Sequence, residues 1–142
     1  MGTGQAKHMF SLSFEVRDYE CDMEGIVNNA VYQNYLEHAR HSFLRSEGIN
    51  FAELTRSGVH PVVVRAELDY LRPLQSGDAF SVGINVVRVS RLKFAFLQDI
   101  HRKPDGGHML RARIIAAFVS DAGRPLRPED AGAGIAKLIN SL

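Results

Sequence analysis

The chain has 142 residues and a formal net charge of +1, which suits one sizeable core and excludes a strongly electrostatic nucleic-acid binder. Its single cysteine, Cys21, excludes an intrachain disulfide, and no apolar run is long enough to cross a membrane as a helix. No secretory apolar segment stands near the start, so the expected compartment is cytoplasmic. Residues 1–8, which end in Lys7-His8 ahead of Met9, read as an added leader, with one domain expected over residues 9–142.

Residues 10–17 alternate apolar and polar, the pattern of a half-buried strand. Gly25 punctuates the turn that follows, and Asn28 or Asn29 suits a helix N-cap. From Ala30 to about Glu47 the period becomes helical. Val31, Tyr32, Tyr35, Leu36, Ala39, Phe43 and Leu44 form a wide apolar face, with Gln33, Glu37, Arg40, His41 and Arg45 opposite. Gly48 suits the stop, and residues 51–56 suit a short second helix. The remainder reads as strands: His60–Leu71, Ala79–Val89, Leu92–Arg102 and Met109–Ser120. Gln75-Ser76-Gly77-Asp78 and Lys103-Pro104-Asp105-Gly106-Gly107 supply turns, Ser90-Arg91 a tight connection or bulge, and Asp121–Pro125 a break before a short terminal helix. Short turns imply antiparallel neighbours, and one wide-faced helix is the natural cover for such a sheet. The class is therefore α+β.

The chemistry concentrates between Val16 and Ala30, where acids fill the turn leading into the long helix. A helix mouth carries unpaired N–H groups and a partial positive charge. A carboxylate fixed beside it can attack a carbonyl, or direct water at it, while those N–H groups hold the oxygen. Asp22 is ionised at neutral pH even at an ordinary pKa of about 3.9, and a thiol of pKa roughly 8.5 leaves without a strong acid partner. The plainer alternative is that Asp22 only caps its turn. Gly25 offers either a positive φ or room for a carbonyl to approach the backbone. His38 and His41 have helical i, i+3 spacing with no evident third ligand, so no metal is expected.

These residues resemble the hotdog-fold thioesterases, in the branch typified by 4-hydroxybenzoyl-CoA thioesterase. The resemblance rests on Asp22-Met23-Glu24-Gly25-Ile26-Val27-Asn28-Asn29-Ala30-Val31-Tyr32 and on Glu37-His38-Ala39-Arg40 further along the helix. The run Val27–Tyr32 is also similar to the plant acyl-lipid thioesterase subgroup of fatty acid metabolism, which acts on acyl-carrier-protein thioesters. The resemblance implies a hotdog fold, with the sheet wrapped around one long central helix. It implies a homodimer with shared active sites, often doubled to a homotetramer. It implies that Asp22 is the catalytic carboxylate, as nucleophile or general base, with the backbone N–H of Asn29 as the oxyanion donor.

No cofactor is implied, because CoA or phosphopantetheine is part of the substrate. Arg88, Ser90, Arg91 and Lys93 cluster where two strands meet, near the channel that the family gives to the pantetheine and nucleotide. Tyr32 is a core residue by default or part of an acyl tunnel. Two other activities suit the same fold: a non-catalytic acyl-CoA sensor, and a hydratase, for which no histidine falls at the helix mouth. Neither nucleic acid nor membrane is an expected partner.

Overall fold

The computed structural model describes residues 8–142. Residues 1–7 of the expected leader lie outside the described residues. His8 lies with its ring over Gly83 and its Nε2 3.2 Å from Asp99 Oδ2, so it packs on the sheet.

Strand β1 (Phe10–Glu15) is followed by a short 3-10 turn (Asp18–Glu20) and helix α1 (Val31–Ser46). Helix α2 (Phe51–Arg56) leads into β2 (Val59–Tyr70), β3 (Ala79–Arg88), β4 (Lys93–Lys103) and β5 (His108–Ser120). The short strand β6 (Pro125–Leu126), a second 3-10 turn and helix α3 (Ala133–Asn140) complete the chain. The strands form one antiparallel sheet in the order β1-β3-β4-β5-β2, with β6 on β5.

Each long element follows the expected pattern. β1 alternates half-buried and exposed residues, as one face of an edge strand should. Helix α1 buries Tyr32, Tyr35, Leu36, Ala39, Phe43 and Leu44 against the sheet, and its polypeptide turns away at Gly48, whose φ of +79° favours glycine. In α2, Asn50 Oδ1 caps the N–H groups of Ala52 and Glu53 at 2.9 and 3.2 Å. Phe80 is fully buried and joins sheet to helix, stacking on Phe14 at 5.1 Å and meeting Tyr35 at 4.8 Å between ring centroids.

Three expectations change. The break expected at Asp121–Pro125 is a hairpin turn whose last residue already belongs to β6, because the chain returns to pair Phe118 with Leu126 and Val119 with Pro125. The helix mouth is one residue later than expected: α1 starts at Val31, and Asn28 Oδ1 accepts the Ala30 N–H at 3.0 Å. Arg40, expected on the solvent face, is only 8% exposed. The sheet curls far enough around α1 for Gln98 of β4 to reach it, with Arg40 Nη1 donating to Gln98 Oε1 at 3.1 Å. Gln98 is itself fully buried and donates to the Leu36 carbonyl at 3.0 Å. No helix among the described residues is long and apolar enough to cross a membrane.

Candidate active site at the mouth of the long helix

The stretch from Val16 to Ala30 has little regular structure, yet it is tied down at almost every step. Val16 is buried and exchanges hydrogen bonds with the β2–β3 connection, donating to Asp78 O at 2.9 Å and accepting from Gly77 N at 3.0 Å. Val27 donates to Leu74 O at 2.9 Å, and Leu74 N donates to the Tyr32 hydroxyl at 3.0 Å. Single bridges pair Cys21 with Val27 and Ile26 with Gln75. The turn that carries Asp22 is thus fastened to the sheet on one side and to α1 on the other.

Asp22 shapes its own turn. Its N–H donates to Ile26 O at 2.8 Å, and its carbonyl accepts from Gly25 N at 3.0 Å. Its Oδ1 accepts from Glu24 N at 2.8 Å and Ile26 N at 3.4 Å. Oδ2 has no partner among the described residues, and the side chain is exposed in the single chain. One carboxylate oxygen is therefore anchored and the other is free.

Gly25 closes the turn at φ +81°, and a Cβ there would meet nothing within 4 Å. Of its two expected uses, the positive φ is present. The Gly25→Ala variant is expected to lose about 1–2 kcal/mol from the left-handed conformation alone, read as a lower midpoint in urea unfolding.

The Asn29 N–H has no acceptor among the described residues, whereas its carbonyl accepts from the Tyr70 hydroxyl at 3.2 Å. Tyr70 lies 41 positions along the chain, and its ring also meets the Tyr32 ring edge-on at 5.5 Å. Nothing in the local pattern signals this prop for the helix mouth. Tyr32 is 4% exposed, and its hydroxyl is taken by Leu74 N, so it belongs to the core.

The neighbouring acids are not simply solvated. Glu20 Oε1 accepts from Arg17 N at 2.8 Å and from the Tyr35 hydroxyl at 2.9 Å, while its own carbonyl accepts from Asn28 N at 3.0 Å. Burial and the Glu20 carboxylate push the Tyr35 hydroxyl far above the usual phenol range. Asp18 accepts from the Ser76 hydroxyl. Burial, with Asp18, Asp22 and Glu20 close by, raises the pKa of the Cys21 thiol, which disfavours a thiolate nucleophile. His38 and His41 pack against Phe14 and Phe51, at 5.8 and 5.0 Å between centroids.

The cationic cluster at the β3–β4 turn divides. Arg88, expected at the substrate, is already occupied. Its Nη1 and Nη2 donate to Glu129 at 2.8 and 2.9 Å, and Nε and Nη2 also hold the carbonyls of Ser90 and Arg91 at 3.0 and 2.7 Å. Ser90 Oγ accepts from Lys93 N at 3.1 Å and shapes the turn. Arg91 and Lys93 are exposed, and their side chains have no partner among the described residues.

The Arg88 guanidinium holds the Glu129 carboxyl down to about 2. A depressed acid stabilises the fold above its unfolded range, so this tie is present at neutral pH and is lost as the pH falls from about 4.5 to about 2. A carboxyl-carbon NMR titration of Glu129 is expected to show that low midpoint, and Arg88→Gln to return it upward.

A sequence profile described as the thioesterase-like superfamily matches residues 16–135, which include the Asp22 turn, α1, every strand of the sheet after β1 and the start of α3. The chain belongs to that superfamily. The acyl-acyl carrier protein thioesterase ATL3 of Arabidopsis thaliana is 40% identical over 116 residues, covering 82% of this chain and 61% of the relative. The chain thus spans about three-fifths of the length of that relative. A hypothetical protein of Aquifex aeolicus has a crystal structure 30% identical in sequence, with a TM-score of 0.77, 83% of this chain and 91% of that one being covered. The 1,4-dihydroxy-2-naphthoyl-CoA thioesterase Slr0204 of Synechocystis superposes with a TM-score of 0.81 over 91% of this chain and 96% of that one. At 20% identity it shows the hotdog fold alone. Within the superfamily's fold, the six-stranded antiparallel sheet around α1 is the expected architecture.

Proposed function

We propose that this protein hydrolyses acyl thioesters of CoA or of an acyl carrier protein, releasing a carboxylic acid and a thiol. The observation that carries this reading is the pairing of a half-anchored carboxylate with an unused amide. Asp22 has one oxygen fixed by two backbone N–H groups and one oxygen free, on the turn that enters α1, where Asn29 offers an N–H without an acceptor. The Asn29 N–H holds the carbonyl oxygen as it gains charge, and Asp22 attacks the thioester carbon or takes a proton from the attacking water. The thiol leaves as thiolate. Where Asp22 has attacked, water then cleaves the acyl anhydride on Asp22 and releases the acid; where Asp22 has taken the proton, the water oxygen is already in the acid released. In this reading Arg91 and Lys93 receive the phosphates of the substrate, on a turn that Arg88 and Ser90 hold rigid. The name of the ATL3 relative supports a carrier-protein thioester.

The reading includes a homodimer with the acyl pocket between subunits. Its support is the edge strand β2, which among the described residues pairs only with β5 and leaves Val62, Val63 and Val64 exposed at 37%, 53% and 50%. An exposed apolar edge strand is an aggregation hazard unless something covers it. Met23, next to Asp22, also projects fully into solvent in the single chain. Val64→Lys is expected to shift the protein toward monomer in light scattering and to lower turnover with it. A variant that stays dimeric and fully active would remove β2 from the seam.

The deciding assay follows thiol release from a panel of acyl-CoAs and from acyl carrier protein, with and without Asp22→Asn. Thiol release that the substitution abolishes supports the hydrolase. Binding without release would make the protein a sensor, and loss of enoyl absorbance without release a hydratase.

A further inference from the structure

Away from the Asp22 turn, a cavity of about 340 Å³ lies between the second half of α1 and the sheet. Arg40 lines it about 14 Å along the helix from Val31, at a rise of about 1.5 Å per residue. No residue of the 16–30 segment lines it. Its size falls at the lower end of the range of about 300–1,000 Å³ that takes small molecules. The walls are largely apolar, with Leu44, Phe94, Phe96, Phe118, Ile135 and Leu138 among them.

Glu37, Arg40 and His41 interrupt that apolar wall, and of the three only Arg40 is buried. It is more than nine-tenths buried, and a buried cation demands a partner. Nη1 has the Gln98 amide oxygen, and the guanidinium lies over the Phe96 ring at 5.9 Å. Nε and Nη2 have no acceptor among the described residues, and no ion pair among those residues includes Arg40. Glu37, three residues earlier, is exposed and lies at the rim. Nε and Nη2 lie on one edge of the planar guanidinium, so with Nη1 taken by Gln98 the two unpaired nitrogens form a single fork. Such a fork matches a carboxylate.

We propose that this cavity binds an amphiphilic carboxylate, an apolar chain or ring against the aromatic wall with its carboxylate on Arg40, as a site separate from the Asp22 turn. A neutral guest would leave the buried cation unpaired, and a larger polar guest would waste the apolar wall. A free acid of this kind is what thioester hydrolysis releases. The inference does not need that activity, because binding is measured with no thioester present.

Titration calorimetry with decanoate and with decanol tests it on the unmodified protein. Decanoate is expected to bind at least tenfold more tightly than decanol. Arg40→Gln is expected to remove that preference while leaving decanol unchanged, and Ala116→Leu, which narrows the cavity without touching the cation, to weaken both. Asp22→Asn is expected to leave all the affinities as they are. Equal binding of decanoate and decanol, no binding of decanoate, or decanoate affinity lost in Asp22→Asn and kept in Arg40→Gln would each overturn the proposal. If Arg40→Gln does not fold, the decanoate–decanol difference and Ala116→Leu still decide.

Discussion

Asp22→Asn is expected to lower kcat for thioester hydrolysis by at least about 10²-fold, with KM and the melting temperature nearly unchanged. Asparagine keeps an oxygen where Oδ1 accepts from Glu24 and Ile26, so the turn that Asp22 builds should survive. What disappears is the charge and basicity of the free oxygen, which only the chemical step uses. A purely structural Asp22 predicts the reverse, a change in stability and little in rate. Asp22→Ala separates the two contributions, because it also removes the Oδ1 acceptor and should add a loss of stability to the same loss of rate. The measurement is thiol release under saturating substrate, beside thermal unfolding of each variant. Unchanged kcat in Asp22→Asn would end the assignment. Similar variants at Glu20 are less informative, since that carboxylate also holds the Tyr35 hydroxyl and the Arg17 N–H and its loss would disturb the scaffold.

The long elements were legible in the chain because each has a single strong periodicity. The two-residue alternation of β1 and the apolar face of α1 both survive in the burial of Phe14, Tyr35, Leu36 and Phe43. The turn glycines marked the ends correctly at Gly48 and Gly77, where φ is positive. The site was legible as a segment, since the acids, Gly25 and the two asparagines stand together in sequence. Its supports were not. Tyr70, Leu74 and Gln98 reach α1 and its entry turn from 41 to 62 positions away, and no local pattern encodes such a meeting. Arg40 misled for a related reason. A helical wheel places a charge opposite the apolar face, but the buried side of this helix extends past its apolar residues, and a charge at the margin is enclosed once Gln98 gives it a partner. Arg88 shows the limit for charge clusters: four cationic or polar residues in one stretch gave no sign that Glu129, 41 residues on, takes one of them.

Phe80→Ala is expected to carry the largest loss of stability, about 3–5 kcal/mol, or a fall in Tm of roughly 10–20 °C for a chain of this size. Phe80 is fully buried at the point where β1, β3 and α1 meet. Its ring is nearly parallel to that of Phe14, with 5° between planes, and meets the Tyr35 ring at 56°. Alanine leaves a cavity that neither strand can close, because Phe14 and Phe80 are cross-strand partners in a fixed register. The damage should also reach the proposed active site. Tyr35 is braced by Phe80 on one side and hydrogen-bonded to Glu20 on the other, and Glu20 in turn accepts from Arg17 N while its carbonyl accepts from Asn28 N. A loosened Tyr35 therefore frees the entry turn of α1, and turnover is expected to fall at temperatures where circular dichroism still reports a folded protein. Phe80→Leu refills most of the volume and should restore activity before it restores full stability. If Phe80→Ala loses stability with no loss of turnover below its melting range, the brace from the core to the Asp22 turn is absent, and the turn holds its shape through its hydrogen bonds to the β2–β3 connection alone.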